Sequence, residues 1–250
     1  MNEKRMKFLN IEIDNVNMDE AINEVENLIE TPGYHYVVTP NVAHIVSLEK
    51  DIEFQKVYKD ADLILTDGMP LIWISKLYKT PIKEKVSGSD IFPLICAMAV
   101  EKEYKVFILG AAEGVAAKAA ENLKNKCPGL QVVGTYSPPY GFEKDNNEVK
   151  KVVDIVNNAN PHILFVGLGA PKQEKFIHKY KDQLKVPISL GIGAAIDFEA
   201  GNVKRAPKWM QKSGLEGFYR FAKEPKRMFK RVFIDDFKIF PLAFKYRNKK

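Results

Sequence analysis

HILFVGLGAPKQE, running from His162 to Glu174, is the stretch that decides the fold. Its strand-forming half is apolar on both faces, as a strand must be when helices cover it above and below. It stops at Gly167-Leu168-Gly169, and Pro171 stands where a first helical residue is tolerated. YKVFILG (Tyr104 to Gly110) and VPISLGIG (Val186 to Gly193) repeat the pattern, and shorter β-rich runs lie at Tyr34 to Thr39, Asp62 to Thr66 and Leu130 to Gly134. Helical stretches separate most of them. The first is written in full: Asn17 caps, Glu20 closes a capping box, and Ala21, Ile22, Val25, Leu28 and Ile29 form the apolar stripe up to Pro32 and Gly33. This alternation predicts an α/β chain: a Rossmann-like three-layer body with a mainly parallel sheet.

Ligands of such sheets bind beyond the carboxyl ends of the strands. The candidate loops are therefore Thr39-Pro40-Asn41, Asp67-Gly68, Gly110 to Gly114, Gly167 to Glu174 and Gly191 to Asp197. Gly110, Gly167 and Gly169 can leave backbone N–H groups open to a phosphate, or can simply make tight turns. Two such loops on one sheet favour a nucleotide. The dinucleotide fingerprint is incomplete, because the strand that follows ends Val133-Gly134-Thr135-Tyr136 without a carboxylate for the ribose, and no Gly-Lys-Ser/Thr triplet marks a P-loop.

Asp67 is delivered to the binding edge by Leu63 to Thr66, where it suits a general base; the alternative is a turn aspartate capping the helix that Pro70 opens. Asp60 and Asp62 precede the same strand, at the opposite end from the site, and read as a solvated turn. Ser89 or Asp90 reads as the cap of the next helix, with no nucleophile elbow around it. His35, His44, His162 and His178 show no ligand spacing, and Cys96 and Cys127 lie far apart, so neither a metal site nor a disulfide is expected.

The net charge of +6 conceals an asymmetry. Residues 202–250 hold 15 Lys/Arg and 4 Asp/Glu, whereas residues 1–201 hold 23 basic and 28 acidic ones. Ten of the 27 Phe, Tyr and Trp residues fall in that same basic segment. Such a composition suits an anionic surface, and the chain divides into a catalytic body, 1–205, and a basic, aromatic, helical appendage, 206–250. Within the appendage Arg220, Arg227 and Arg231 repeat at seven and four residues, either converging on one face or forming a solvated basic surface. Neither a signal peptide nor an 18-residue apolar run is present, so the expected location is cytoplasmic.

Several strings, taken in order, resemble the WecG/TagA/CpsF family of bacterial glycosyltransferases: Thr39-Pro40-Asn41, Asp67-Gly68, Val86 to Asp90, Val166 to Lys175, Gly193 to Asp197, Arg205 to Trp209, and Leu215-Glu216 with Tyr219-Arg220 and Glu224 to Arg227. The resemblance implies an inverting transferase, independent of metal and cofactor, that moves a sugar from a UDP donor to a polyprenyl-diphosphate-linked N-acetylglucosamine in teichoic acid or surface polysaccharide synthesis. N-acetylmannosamine is the expected sugar, with glucose, glucuronate or N-acetylmannosaminuronate as alternatives. It implies Asp67 as base, Thr39 and Asn41 lining the acceptor and donor pocket, and Gln173 and Asp197 facing the nucleotide sugar. Gly68, Lys85, Gly88, Ser89, Asp90, Gly110, Gly167, Gly169, Pro171, Glu174 and Gly193 complete the expected substrate contacts. Arg220, Arg227 and Arg231 would complete the site from an appendage peripheral on the inner face of the membrane.

Lys85 stands where the family commonly has Arg, which makes any phosphate contact there a point-charge one. The exposed aromatics of the tail call for a membrane surface or for homo-oligomerisation. Two rivals are a nucleotide-dependent oxidoreductase, which would bind NAD and not UDP, and a nucleic-acid-binding module, which would leave the phosphate loops without a task; no nucleic acid partner is expected.

Overall fold

The structure, a computed structural model, describes residues 5–223, 225 and 236–247. A hairpin comes first, β1 (Arg5–Phe8) and β2 (Ile11–Asp14), then α1 (Met18–Glu30), β3 (His35–Val38), α2 (Val42–Ser47), α3 (Ile52–Lys59), β4 (Leu63–Ile64), α4 (Met69–Leu77) and α5 (Gly88–Glu101). The alternation continues with β5 (Lys105–Gly110), α6 (Val115–Lys126), β6 (Gln131–Tyr136), α7 (Asn146–Ala159), β7 (Ile163–Gly167), α8 (Lys172–Leu184), β8 (Ile188–Gly191) and α9 (Ala195–Glu199). Among the described residues three helices follow: α10 (Lys208–Lys212), α11 (Glu216–Lys223) and α12 (Ile239–Arg247). Strands β3 to β8 form one parallel sheet in the order β4-β3-β8-β7-β5-β6.

Alternate residues of the strands feed two separate cores. Tyr36, Val38, Phe107, Leu109, Leu164 and Val166 pack with α2, α3, α4, α7 and α8, whereas Val37, Val106, Ile108, Ile163 and Phe165 pack with α1, α5, α6 and α9. Both faces of the sheet are therefore dry, which is the reason its strands read as unbroken apolar runs. The expected three-layer α/β architecture is what the chain adopts.

Local chemistry sets the boundaries. The Asn17 side chain accepts from the Glu20 N–H at 2.9 Å, and the Glu20 carboxylate accepts from the Asn17 N–H at 2.9 Å, closing the expected capping box. For α5 the cap is Ser87, whose hydroxyl accepts from the Asp90 N–H at 3.2 Å, rather than Ser89 or Asp90. The reading two or three residues too late arose because Gly88, the first helical residue, has little helix propensity.

The hairpin carries no Asn-Gly or Asp-Gly signal at its Leu9-Asn10 turn, and its charged sequence concealed it. It covers the short edge strand β4: Arg5 pairs with Asp14 at 2.8 Å and donates to the carbonyls of Ala61 and Asp62, while Asp14 accepts from the Ile64 N–H at 2.8 Å. Asp60 and Asp62 do lie away from the ligand edge, but they are more than a solvated turn. Asp62 holds His35 at 2.9 Å and Asp60 holds His178 at 2.9 Å.

Beyond Ala206 the described chain is helical. Ile239 is buried in the α2-side core, Leu242 and Ala243 pack against it, and the Tyr78 hydroxyl donates to the Ala243 carbonyl. Lys245 and Tyr246 both reach Glu49, at 2.6 and 2.8 Å. Among the described residues no helix is long and apolar enough to cross a membrane.

Candidate active site

All six strands end on one rim, and hydrogen bonds lace the loops that leave it. The Thr39 hydroxyl donates to the Gly191 carbonyl at 3.3 Å, the Asp67 N–H to Pro40 at 2.8 Å, and the Ala111 N–H to Gly167 at 2.9 Å. The connection after β3 turns to the α2 side of the sheet while that after its neighbour β8 turns to the α9 side, and the adjacent pair β7 and β5 diverges likewise. Such divergence opens a crevice.

Asp67 stands on this rim, partly exposed. The helix after it starts at Gly68, which has φ +113° and leaves the approach to the Asp67 side chain without a neighbouring Cβ. Asn41 is itself a cap: its oxygen accepts from the N–H groups of Ala43 at 3.0 Å and His44 at 3.3 Å. Thr39 is buried against β8 and Gln173 beside it is also buried, its oxygen accepting from the Gly193 N–H at 3.1 Å. Asp197 opens the first turn of α9, two elements away in sequence but on the same rim.

The glycines separate into two kinds. A Cβ on Gly110 would lie 2.4 Å from the Gly167 carbonyl oxygen, one on Gly167 would lie 2.5 Å from the Ile196 side chain, and one on Gly88 would lie 3.1 Å from the Ile192 Cα. These three let adjacent backbones approach. Around Gly169, by contrast, an added Cβ meets nothing within 4 Å, and its φ of +77° turns the loop into solvent just before Pro171 and α8. Gly114, in the loop after β5, shares this φ of +77° and likewise has open space where a Cβ would stand.

A cation cluster sits at the start of α5. Lys85 pairs with Asp90 at 2.7 Å, Arg205 with the other oxygen of Asp90 at 2.8 Å, and Ser87 donates to Asp90 at 2.6 Å. Burial raises the Asp90 carboxyl, but these partners outweigh it and hold the group below the usual carboxylate range. Arg205 also donates to the Ser89 carbonyl at 3.3 Å and reaches Glu216 of α11 at 3.9 Å, tying the body to the helices beyond. It belongs to a quoted motif, yet sequence reasoning gave it no task.

Over the ends of β5, β6 and β7 lies a cavity of about 700 Å³, lined by Ala111, Tyr136, Ser137, Tyr140, Leu168 and Lys172 among others. The Lys172 ammonium stands 4.3 Å from the centre of the Tyr140 ring and 3.2 Å from Glu143. The Ser137 hydroxyl donates to the carbonyls of Gly110 and Ala112, both at 3.1 Å, and fixes the cavity floor. Sequence reasoning missed this wall. Two tyrosines around a Pro-Pro turn at a strand exit were the available signal.

Of the three expected arginines, Arg220 lies on α11 with its side chain outside the described atoms, and Arg227 and Arg231 fall outside the described residues. Among the described residues no group of three or more His, Cys, Asp or Glu stands together as a metal site would.

Residues 6–250 match the model of the glycosyl transferase WecG/TagA/CpsF family. Relatives include an N-acetylglucosaminyldiphosphoundecaprenol N-acetyl-beta-D-mannosaminyltransferase of Bacillus spizizenii, 35% identical over 77% of this chain and 72% of the relative. The protein of the same name from Bacillus subtilis is 32% identical over 87% and 83%, and that from Staphylococcus aureus strain MW2 is 24% identical over 91% and 88%. With the quoted motifs on one rim of a three-layer sheet and the match spanning nearly the whole chain, this protein belongs to the WecG/TagA/CpsF family of glycosyl transferases.

Proposed function

We propose that the chain transfers N-acetylmannosamine from a UDP donor to N-acetylglucosamine carried on a polyprenyl diphosphate, with inversion. The observation that carries this reading is Asp67, partly exposed on the strand-end rim, across the sheet from the tyrosine-lined cavity. From β4 to β5 there are four strand spacings, roughly 19 Å. A nucleotide diphosphate sugar fits along that line, with its base in the cavity, its diphosphate over Gly169 and the N-terminus of α8, and its anomeric carbon near Thr39 and Asp67.

In this mechanism an Asp67 oxygen takes the proton of the acceptor hydroxyl as that oxygen bonds to the anomeric carbon, and UDP departs from the opposite face with the bonding pair. One displacement inverts the centre. Backbone N–H groups near Gly169, with Lys85 and Arg220, Arg227 and Arg231, stabilise the charge growing on the diphosphate. Such charge stabilisation acts on the transition state more than on bound donor, so it raises turnover.

The body, 1–205, would carry the donor site and the appendage, 206–250, would meet an anionic membrane. Phe237, Phe240 and Phe244 project from one side of the α12 region at three- and four-residue spacing, each more than half exposed. Basic residues nearby add on the order of 1 kcal/mol each at an anionic surface. Away from membrane, self-association would cover the same rings.

The test is a screen of UDP-sugars against a prenyl-diphosphate N-acetylglucosamine acceptor, reading product anomeric configuration by NMR. Asp67→Asn should reduce turnover at least a thousandfold while UDP binding by calorimetry stays within a few fold. A retained anomeric configuration, or near-normal turnover of Asp67→Asn, would overturn the reading.

A further inference from the structure

Glu174 was expected among the substrate contacts, yet its relative exposure is 0%. It lies in the first turn of α8, packed against α3, with no route to a ligand. One carboxylate oxygen accepts from the Gln173 amide at 2.7 Å; the other is buried without a hydrogen-bond partner. A buried carboxyl with an unmatched oxygen is costly, so a sequence keeps it only for a return elsewhere.

The return is visible in what Gln173 does next. Its oxygen accepts from the Gly193 N–H at 3.1 Å, and its nitrogen lies so close to Gly191 that a Cβ there would stand 2.9 Å away. Gly191 in turn accepts from the Thr39 hydroxyl. A carboxamide has a donor end and an acceptor end, and only one orientation serves here: NH₂ toward Glu174, oxygen toward Gly193. An acceptor-only carboxylate enforces that orientation. A neighbour able to donate would let the amide turn, setting its NH₂ against the Gly193 N–H.

We propose that Glu174 is a positioning residue: through Gln173 it fixes the loop from Gly191 to Asp197, and with it Thr39, in the geometry the donor sugar needs. This rests on the donor site proposed above. Burial pushes the Glu174 carboxyl up to about 7, so the orienting anion is complete only above that value. The groups around it are few. On α3, Tyr58 feels the charges of both Glu174 and Asp67 and bonds His44 of α2 at 2.6 Å, while on α8 Lys175 turns away to Asp51 and Glu53 and His178 turns to Asp60.

The experiment compares wild type with the near-isosteric Glu174→Gln. In wild type kcat/KM rises through about pH 7; in the variant that inflection is gone and kcat/KM at pH 8 falls on the order of 10- to 100-fold, with UDP affinity changed much less. Difference infrared spectroscopy of the wild type supplies a readout independent of turnover, namely a protonated-carboxyl C=O band that disappears through the same pH range. Should the variant not fold, a band titrating at a pH different from that of the wild-type kcat/KM inflection overturns the proposal on its own. An unchanged pH profile in Glu174→Gln also overturns it. A chain that binds no UDP at all refutes the donor site instead, and the infrared titration still reports whether Glu174 is the buried acid.

Discussion

Gly110→Ala and Gly169→Ala form a pair that separates backbone packing from ligand access on the same rim. At Gly110 the added methyl would meet the Gly167 oxygen at 2.4 Å, its carbonyl carbon at 2.6 Å and its nitrogen at 3.1 Å, with φ fixed at +113°. All three are backbone atoms of the neighbouring strand, so no side chain can rotate aside. Holding alanine in that region costs about 1–3 kcal/mol. Forcing a methyl into a packed interior costs about another 1–3 kcal/mol. The sum, about 4 kcal/mol, corresponds to a melting point roughly 8–16 °C lower for a chain of this size. Gly169 has φ +77° and nothing within 4 Å, so only a backbone cost of about 1 kcal/mol applies there. Its methyl would nonetheless intrude where a diphosphate approaches, weakening UDP about tenfold, the equivalent of about 1.4 kcal/mol. Scanning calorimetry and UDP titration of both variants read the two effects separately. A Gly110→Ala protein melting within about 2 °C of wild type, or a Gly169→Ala protein as unstable as it, would refute the division of the glycines.

Asp90→Asn leaves Lys85 and Arg205 half-buried beside a neutral group, and with partial exposure allowed for it should cost about 2 kcal/mol in urea unfolding at pH 7. Because the folded Asp90 carboxyl is held below the usual range, its stabilising contribution is present above about pH 3.8 and lost as pH falls through the folded value, so the gap between wild type and variant should close in acid. Glu174 gives the opposite sign. Its folded pKa is raised from 4.5 to about 7, so stability is undiminished below about pH 4.5 and falls by about 3 kcal/mol as pH rises through 7; unfolding curves of wild type and Glu174→Gln that run parallel between pH 5 and 8 would contradict this. Finally, Phe240→Ser with Phe244→Ser should lower binding to anionic vesicles tenfold or more with little change in melting point, since both rings are exposed. These substitutions are a cleaner probe than truncation, because removing α12 would also uncover the core beneath Ile239.

The order of elements and the identity of the binding rim were legible in the chain, since both rest on local patterns. Apolar runs of strand length ending in glycine, and the Asn17 to Glu20 box, depend on residues a few positions apart, and those contacts form wherever the segment folds. What a side chain does once segments meet is another matter. Asp67 and Gly68 follow β4 in the sequence, yet that they stand on the same rim as Thr39 and Gln173 follows from β3 pairing with both β4 and β8. Gly110 and Gly169 both read as phosphate-loop glycines, yet only Gly110 faces another backbone, because β5 pairs with β7 and sets it opposite Gly167, whereas Gly169 lies beyond the end of β7. Glu174 reads as a polar residue on a polar helix, and only the packing of α3 and β8 against that turn seals it from water. Periodicity fixes which face of an element is buried; desolvation, charge pairing and steric access depend on partners from other elements, some more than a hundred residues away, and tertiary structure alone decided those.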